Sequence, residues 1–196
     1  VLAFFSIPNL SDDFARFIWD GALLSEGNNP YLYKPSDWLA QHQSESYSSL
    51  YNQLNSPHYY SVYPPLLQLF FWVSALLQSV YSSILMLKGI LLAGECLTLY
   101  LLYKMLRSNR RAYLLYALNP LIIVEGIGNI HFELLAISGI VWAIWFLRNS
   151  KWRVMGLSLG SAIAVKLNPI LFIPLSTRYF IQQRAYRVVI WSITTA

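Results

Sequence analysis

Charged and apolar residues are kept apart in this chain. Beyond position 65 the charges stand mostly in short basic clusters between long apolar blocks, and few folds accept that pattern. Ile84–Leu106 is one block, with Lys88 and Glu95 inside it. Ala112–Val124, Phe132–Leu147 and Val154–Leu175 follow, the last interrupted at Lys166-Leu167-Asn168-Pro169. A helix rising about 1.5 Å per residue needs about 20 apolar residues to cross a bilayer. Blocks of this length without two-residue alternation read as helical spans rather than strands. Charged residues make up only 12% of the chain. Soluble domains carry about 25%, so these are too few to cover a water-facing surface. The expected fold class is all-α, a multi-spanning helical membrane protein.

The net charge of +5 hides an asymmetry. Residues 11–62 hold Asp12, Asp13, Asp20, Glu26, Asp37 and Glu45 against Arg16 and Lys34, while every other acid (Glu95, Glu125, Glu133) lies in the basic remainder. A nucleic-acid binder would gather its bases on one polar face. Here they cluster at 108–111, 148–153 and 178–187, between apolar blocks, as cytoplasmic loops do. The positive-inside rule then puts the acidic loop outside, with Ile84–Leu106 running inward. The third cluster does not fit a single crossing at 154–175. Either that segment is a broken, re-entrant pair bent at Asn168-Pro169, or the cluster lies outside. Both ends of the chain fall in apolar runs, Val1–Ile7 and Val188–Ile193, and read as cut spans. The expected organisation is a truncated first span over 1–10, an extracytoplasmic loop with interfacial helices over 11–82, and a transmembrane bundle over 83–196. Cys96, the single cysteine, excludes an intrachain disulfide and reads as a packing residue.

Ser11-Asp12-Asp13 supplies capping oxygens and early acids for a helix start. Phe14, Phe17, Ile18 and Leu24 fall near helical spacing, so Asp13–Leu24 reads as a short amphipathic helix stopped by Gly27-Asn28-Asn29-Pro30. A second short helix is expected within 36–55. Leu66–Tyr81 is too short to span and reads as interfacial or re-entrant.

Three carboxylates and a guanidinium stand within Asp12–Asp20, and a helix puts Asp13, Arg16 and Asp20 on one face. Such a group can take a proton from a hydroxyl or hold a divalent cation. It can equally be a helix cap with a surface ion pair. Asn29, Tyr31 and the run Tyr59–Tyr63 suit sugar recognition, with rings stacking on a pyranose and amides bonding its hydroxyls, or they form a turn and an interfacial aromatic belt. Charges in apolar segments (Lys88, Glu95, Glu125, His131, Glu133, Lys166) are functional candidates because burying charge in lipid is costly. Lys88 and Glu95, two turns apart, can instead pair with each other, and Lys88 can snorkel or hold a lipid phosphate. Lys166 either contacts substrate or serves a kink or a neighbouring carboxylate. His131 and Glu133 alone do not make a metal site.

Asp12-Asp13-x-x-Arg16-Phe17-x-Trp19-Asp20-Gly21, Gly27-x-Asn29-Pro30-Tyr31 and Tyr63-Pro64-Pro65 together resemble the first outer loop of GT-C glycosyltransferases, chiefly bacterial mannosyltransferase-like members. Asn119-Pro120, Gly128-Asn129-x-His131-Phe132-Glu133 and Lys166-Leu167-Asn168-Pro169 follow in the order of that group. The resemblance implies an inverting glycosyltransferase in the bacterial plasma membrane, with its active site facing outward. It would move a hexose, mannose by preference, from a polyprenyl-phosphate donor to a glycan, lipid-linked or protein acceptor. It also implies a catalytic acid at Asp13, or else Asp12. Arg16, Asp20, Asn29, Tyr31, Tyr63, Lys88, His131, Glu133 and Lys166 would meet substrate, with Lys88 near the donor phosphate. Metal-using branches would add Mg or Mn, whose ligands here are unknown. Membrane lipids are the remaining expected partner, and nucleic acid is not one. The alternatives are a transporter or flippase for a lipid-linked or polar substrate, since intramembrane charges and a proline-broken helix also suit a substrate path, and a non-catalytic membrane scaffold.

Overall fold

A computed structural model describes residues 2–42, 45–174 and 194. The described residues are helical, without strands. The third basic cluster and the run Val188–Ile193 lie outside them. Two compact units divide the chain: Val1–Ile90 with Ile127–Ile130, and Leu91–Gly126 with His131–Ala196.

In the first unit, α1 (Leu2–Phe5) precedes the acidic segment. α2 runs Asp13–Ser25, and the Asp13 amide bonds Ser11 Oγ at 3.3 Å. Its end is a Schellman turn. Gly27 adopts φ +80°, its amide bonds the Leu24 carbonyl, and the Asn28 amide reaches back to Leu23. Where sequence spacing predicts a single short helix over 36–55, two form: α3 (Pro35–Gln41) and α4 (Glu45–Tyr51).

The periodicity of α2 suggests a half-exposed helix, but residues 14–21 are all buried. α5 (Pro65–Ala75) covers one side of it. Phe17 stacks on Phe71 at 4.8 Å, and Tyr63 meets both rings edge-on. α4 supplies Tyr47 and Tyr51 against the fully buried Trp19. Gly21 allows the close crossing, since a Cβ there would stand 2.3 Å from the Phe71 carbonyl oxygen. These rings pack a small core. At 11 residues, α5 is about 16 Å long, half the hydrocarbon thickness.

α6 (Val80–Met105) is the one described helix long and apolar enough by itself to cross a membrane. Cys96 is exposed on it, contrary to the packing role expected. Ala112–Val124, expected as one span, is broken. α7 (Arg110–Ala117) ends before Asn119-Pro120, and a π-helical turn follows over Ile122–Gly128. Pro120 has no amide to continue the ladder, and Asn119 Oδ1 takes the Leu121 amide at 3.0 Å. The π-turn is bent by 112° from α8 (Glu133–Arg148) and counts as part of a second crossing only if the two form one bent span. In the second unit α8 packs against α9 (Trp152–Val165) through Ala143, Met155, Leu159 and Ile163. α9 stops where Lys166 turns extended ahead of a 3-10 turn, Asn168–Leu171, as the proline there predicts.

Candidate functional site

In the first unit the acidic segment forms two layers. The lower layer is buried. Arg16 Nε donates to Asp20 Oδ1 at 2.8 Å, with the two side chains 2% and 0% exposed. Asp20 Oδ2 accepts from Ser61 Oγ at 2.5 Å and Gln68 Nε2 at 2.9 Å. Arg16 Nη1 donates to the carbonyls of Ser56 and Tyr59 at 3.0 and 3.1 Å. A buried charge persists only when so partnered. Arg16 and Asp20 therefore fasten the chain at 56–61 to α2, with every Asp20 oxygen engaged.

The upper layer faces outward. Asp13 is half-buried on the first turn of α2, and its Oδ1 accepts from Asn55 Nδ2 at 2.8 Å. Asp12 is exposed and makes no capping bond with its side chain. Asn29 Oδ1 takes the Tyr31 amide at 3.0 Å, an Asx turn that presents Tyr31. The Tyr31 hydroxyl donates to the Tyr63 carbonyl at 2.5 Å. Burial, then the charges of Asp13 and Asp20, raise the Tyr63 hydroxyl far above the ordinary tyrosine range, against the lowering pull of Arg16. Burial and Asp20 raise Tyr31 as well. Both phenols are protonated at neutral pH, and that of Tyr31 is the donor to the Tyr63 carbonyl. Tyr59 and Tyr60 are exposed on the same loop, with Lys34 Nζ 5.2 Å above the Tyr60 ring.

Lys88 neither snorkels nor pairs with Glu95. It is fully buried, and its ammonium donates to the carbonyls of Ala3 and Ser6 at 2.8 and 2.6 Å. Glu95 accepts from the Tyr116 hydroxyl at 3.1 Å.

In the second unit His131, Glu133 and Lys166 do meet. Lys166 Nζ donates to Glu133 Oε1, His131 Nδ1 stands 3.8 Å from Glu133 Oε2, and His131 Nε2 stands 3.4 Å from Glu125 Oε2. These groups are a third to a half exposed. Glu125, His131 and Glu133 edge a cavity of about 520 Å³ whose walls include Leu121, Ile122, Leu134 and Ile137. The structure shows Lys166 bonded to a neighbouring carboxylate, one of the roles open to it.

Among the described residues no three His, Cys, Asp or Glu are placed to hold a metal ion. Asn55, Ser61 and Gln68 escaped sequence reasoning. Ser61 lies inside the aromatic run, but nothing in the sequence ties Asn55 to an aspartate 42 positions away.

The family described as alpha-(1->6)-mannopyranosyltransferase, N-terminal domain, matches residues 3–181. No curated protein and no solved structure matches the chain.

Proposed function

Because the chain belongs to the alpha-(1->6)-mannopyranosyltransferase family, and so to the GT-C mannosyltransferases, we propose that it transfers mannose from a polyprenyl-phosphate donor to an acceptor 6-hydroxyl at the outer membrane face, with Asp13 as general base. The observation that carries the residue choice is the contrast between the three carboxylates within Asp12–Asp20. Asp20 is sealed in with both oxygens bonded, and Asp12 is exposed and makes no capping bond with its side chain. Asp13 alone is both oriented, through Oδ1, and half-open to a substrate.

In this reading the acceptor oxygen attacks the anomeric carbon as the bond from that carbon to the phosphate oxygen breaks. The bonding pair leaves with the phosphate, and the acceptor proton passes to Asp13 Oδ2. Attack opposite the leaving group inverts the anomeric centre. Tyr31, exposed on the loop, offers its ring to the sugar, and Tyr63 holds Tyr31 in place through its carbonyl. Arg16 and Lys88 act through the carbonyls they hold. No step is routed through a metal. Taken by itself, the second unit's cavity is of a size for a sugar ring, with Leu121, Ile122 and Leu134 as an apolar wall and Glu125 and Glu133 at its edge. The apolar helix α6 supports a membrane-borne donor.

The test compares Asp13→Asn with Asp12→Asn in the complete protein, supplied in turn with polyprenyl-phosphate mannose and a nucleotide-activated mannose. Loss of a general base costs about 10²–10⁴-fold in rate. Asp13→Asn should fall by that much with the lipid donor, and Asp12→Asn by little. Transfer from the nucleotide sugar alone would overturn the donor. Unchanged transfer by Asp13→Asn would overturn the base.

A further inference from the structure

Resting on the reading of Asp13 as base, we propose that Asn55 is its positioning residue: the Asn55 amide holds Oδ1 so that Oδ2 is the oxygen turned to the acceptor hydroxyl. Asn55 Nδ2 donates to Asp13 Oδ1 at 2.8 Å. The backbone that carries Asn55 is clamped to the helix that carries Asp13. Arg16, one turn beyond Asp13, donates to the carbonyls of Ser56 and Tyr59, and Asp20 in turn fixes Arg16. The Ser36 amide holds the Pro57 carbonyl at 3.0 Å from the other side. A rigid support thus ends in one polar side chain aimed at one carboxylate oxygen.

Two facts separate this from a loop tie. The loop is already fastened by those three backbone carbonyls, so the Asn55 bond is not needed to hold it. The bond is also exposed to solvent, where water can replace either partner and a hydrogen bond adds little net stability. What the bond does supply is orientation. A carboxylate on the first turn of a helix turns about two side-chain torsions, and proton abstraction needs the receiving oxygen within hydrogen-bond reach of the hydroxyl. Asn55 biases that rotation toward the orientation in which Oδ1 is held and Oδ2 is left free of the contact.

The test measures kcat, KM and Tm of the complete protein with polyprenyl-phosphate mannose. Asn55→Ala should lower kcat about tenfold through misplacement of the base, with KM for the donor and Tm unchanged. Asn55→Asp sets a second anion against Asp13 without a donor and should fall further. Asn55→Gln keeps the amide on a longer arm and should recover part of the loss. Unchanged kcat in Asn55→Ala overturns the proposal. So does a fall in Tm that accounts for the lost activity, because Asn55 is then a structural tie. If Asp13→Asn disables transfer while Asn55→Ala is silent, the base stands and only Asn55 is lost. If both are silent, the reading of Asp13 itself has failed.

Discussion

Arg16→Ala is the perturbation whose consequence the structure fixes most closely. The substitution removes the partner of a fully buried carboxylate and uncovers two carbonyls that Arg16 Nη1 satisfies. Ser61 and Gln68 still face Asp20, but neither carries compensating charge. Removing one partner of a buried ion pair costs about 3–5 kcal/mol, chiefly because the survivor is left uncompensated. At about 2–4 °C per kcal/mol for a chain of this size, Tm should fall by about 6–20 °C. Arg16→Lys keeps the charge but not the planar fork that serves Asp20 and the carbonyls together, and should fall between. The buried Trp19, on the same helix, gives an intrinsic-fluorescence reporter for thermal unfolding in detergent. A Tm within about 2 °C of wild type, less than 1 kcal/mol on the same scale, would refute the view that this pair fastens the loop. A falling Tm in Arg16→Ala beside an unchanged one in Asn55→Ala would separate clamp from pointer.

Other outcomes follow from the same geometry. Gly21→Ala drives a methyl into the Phe71 carbonyl, and the overpacking should cost about 1–3 kcal/mol or more, read as a lower Tm. Lys88→Met strands the carbonyls of Ala3 and Ser6, at about 1–3 kcal/mol. It should lower Tm and leave KM for the donor unchanged, whereas a raised KM at constant Tm would restore the phosphate role that sequence position suggests for Lys88. Breaking the half-exposed Glu133–Lys166 pair with Glu133→Gln should shift stability by no more than about 1 kcal/mol, so a large change in transfer there would come from substrate contact. The folded state raises the Tyr63 hydroxyl above its ordinary value of 10.0. The stability this gives is complete below pH 10 and is lost as pH climbs from there toward the folded value. Tyr63→Phe should flatten that alkaline decline in a Tm-versus-pH series.

Local punctuation was legible in the sequence. Ser11-Asp12-Asp13 and Gly27-Asn28 mark α2 to within a residue at its end, and the apolar run Phe132–Leu147 anticipates Glu133–Arg148. Proline and its neighbours place the break after Val165. The apolar run Ala112–Val124 reads through Pro120, and the proline together with the capping side chain of Asn119 decides otherwise. Long-range partners were not legible. Arg16 and Asp20 look like a surface pair at helical spacing, and only the fold of 52–68 over α2 buries them. Lys88 finds its carbonyls 85 and 82 positions away, beyond the reach of any spacing rule. Family likeness marked Asp13, but only the geometry separates it from Asp12 and Asp20.

The most direct measurement is the single-turnover rate of mannosyl transfer by Asp13→Asn, with polyprenyl-phosphate mannose prebound and acceptor added in excess. Asparagine keeps the size of the side chain and cannot accept the proton. The account predicts a rate about 10²–10⁴-fold below wild type, with donor binding and Tm retained. A wild-type rate would contradict it.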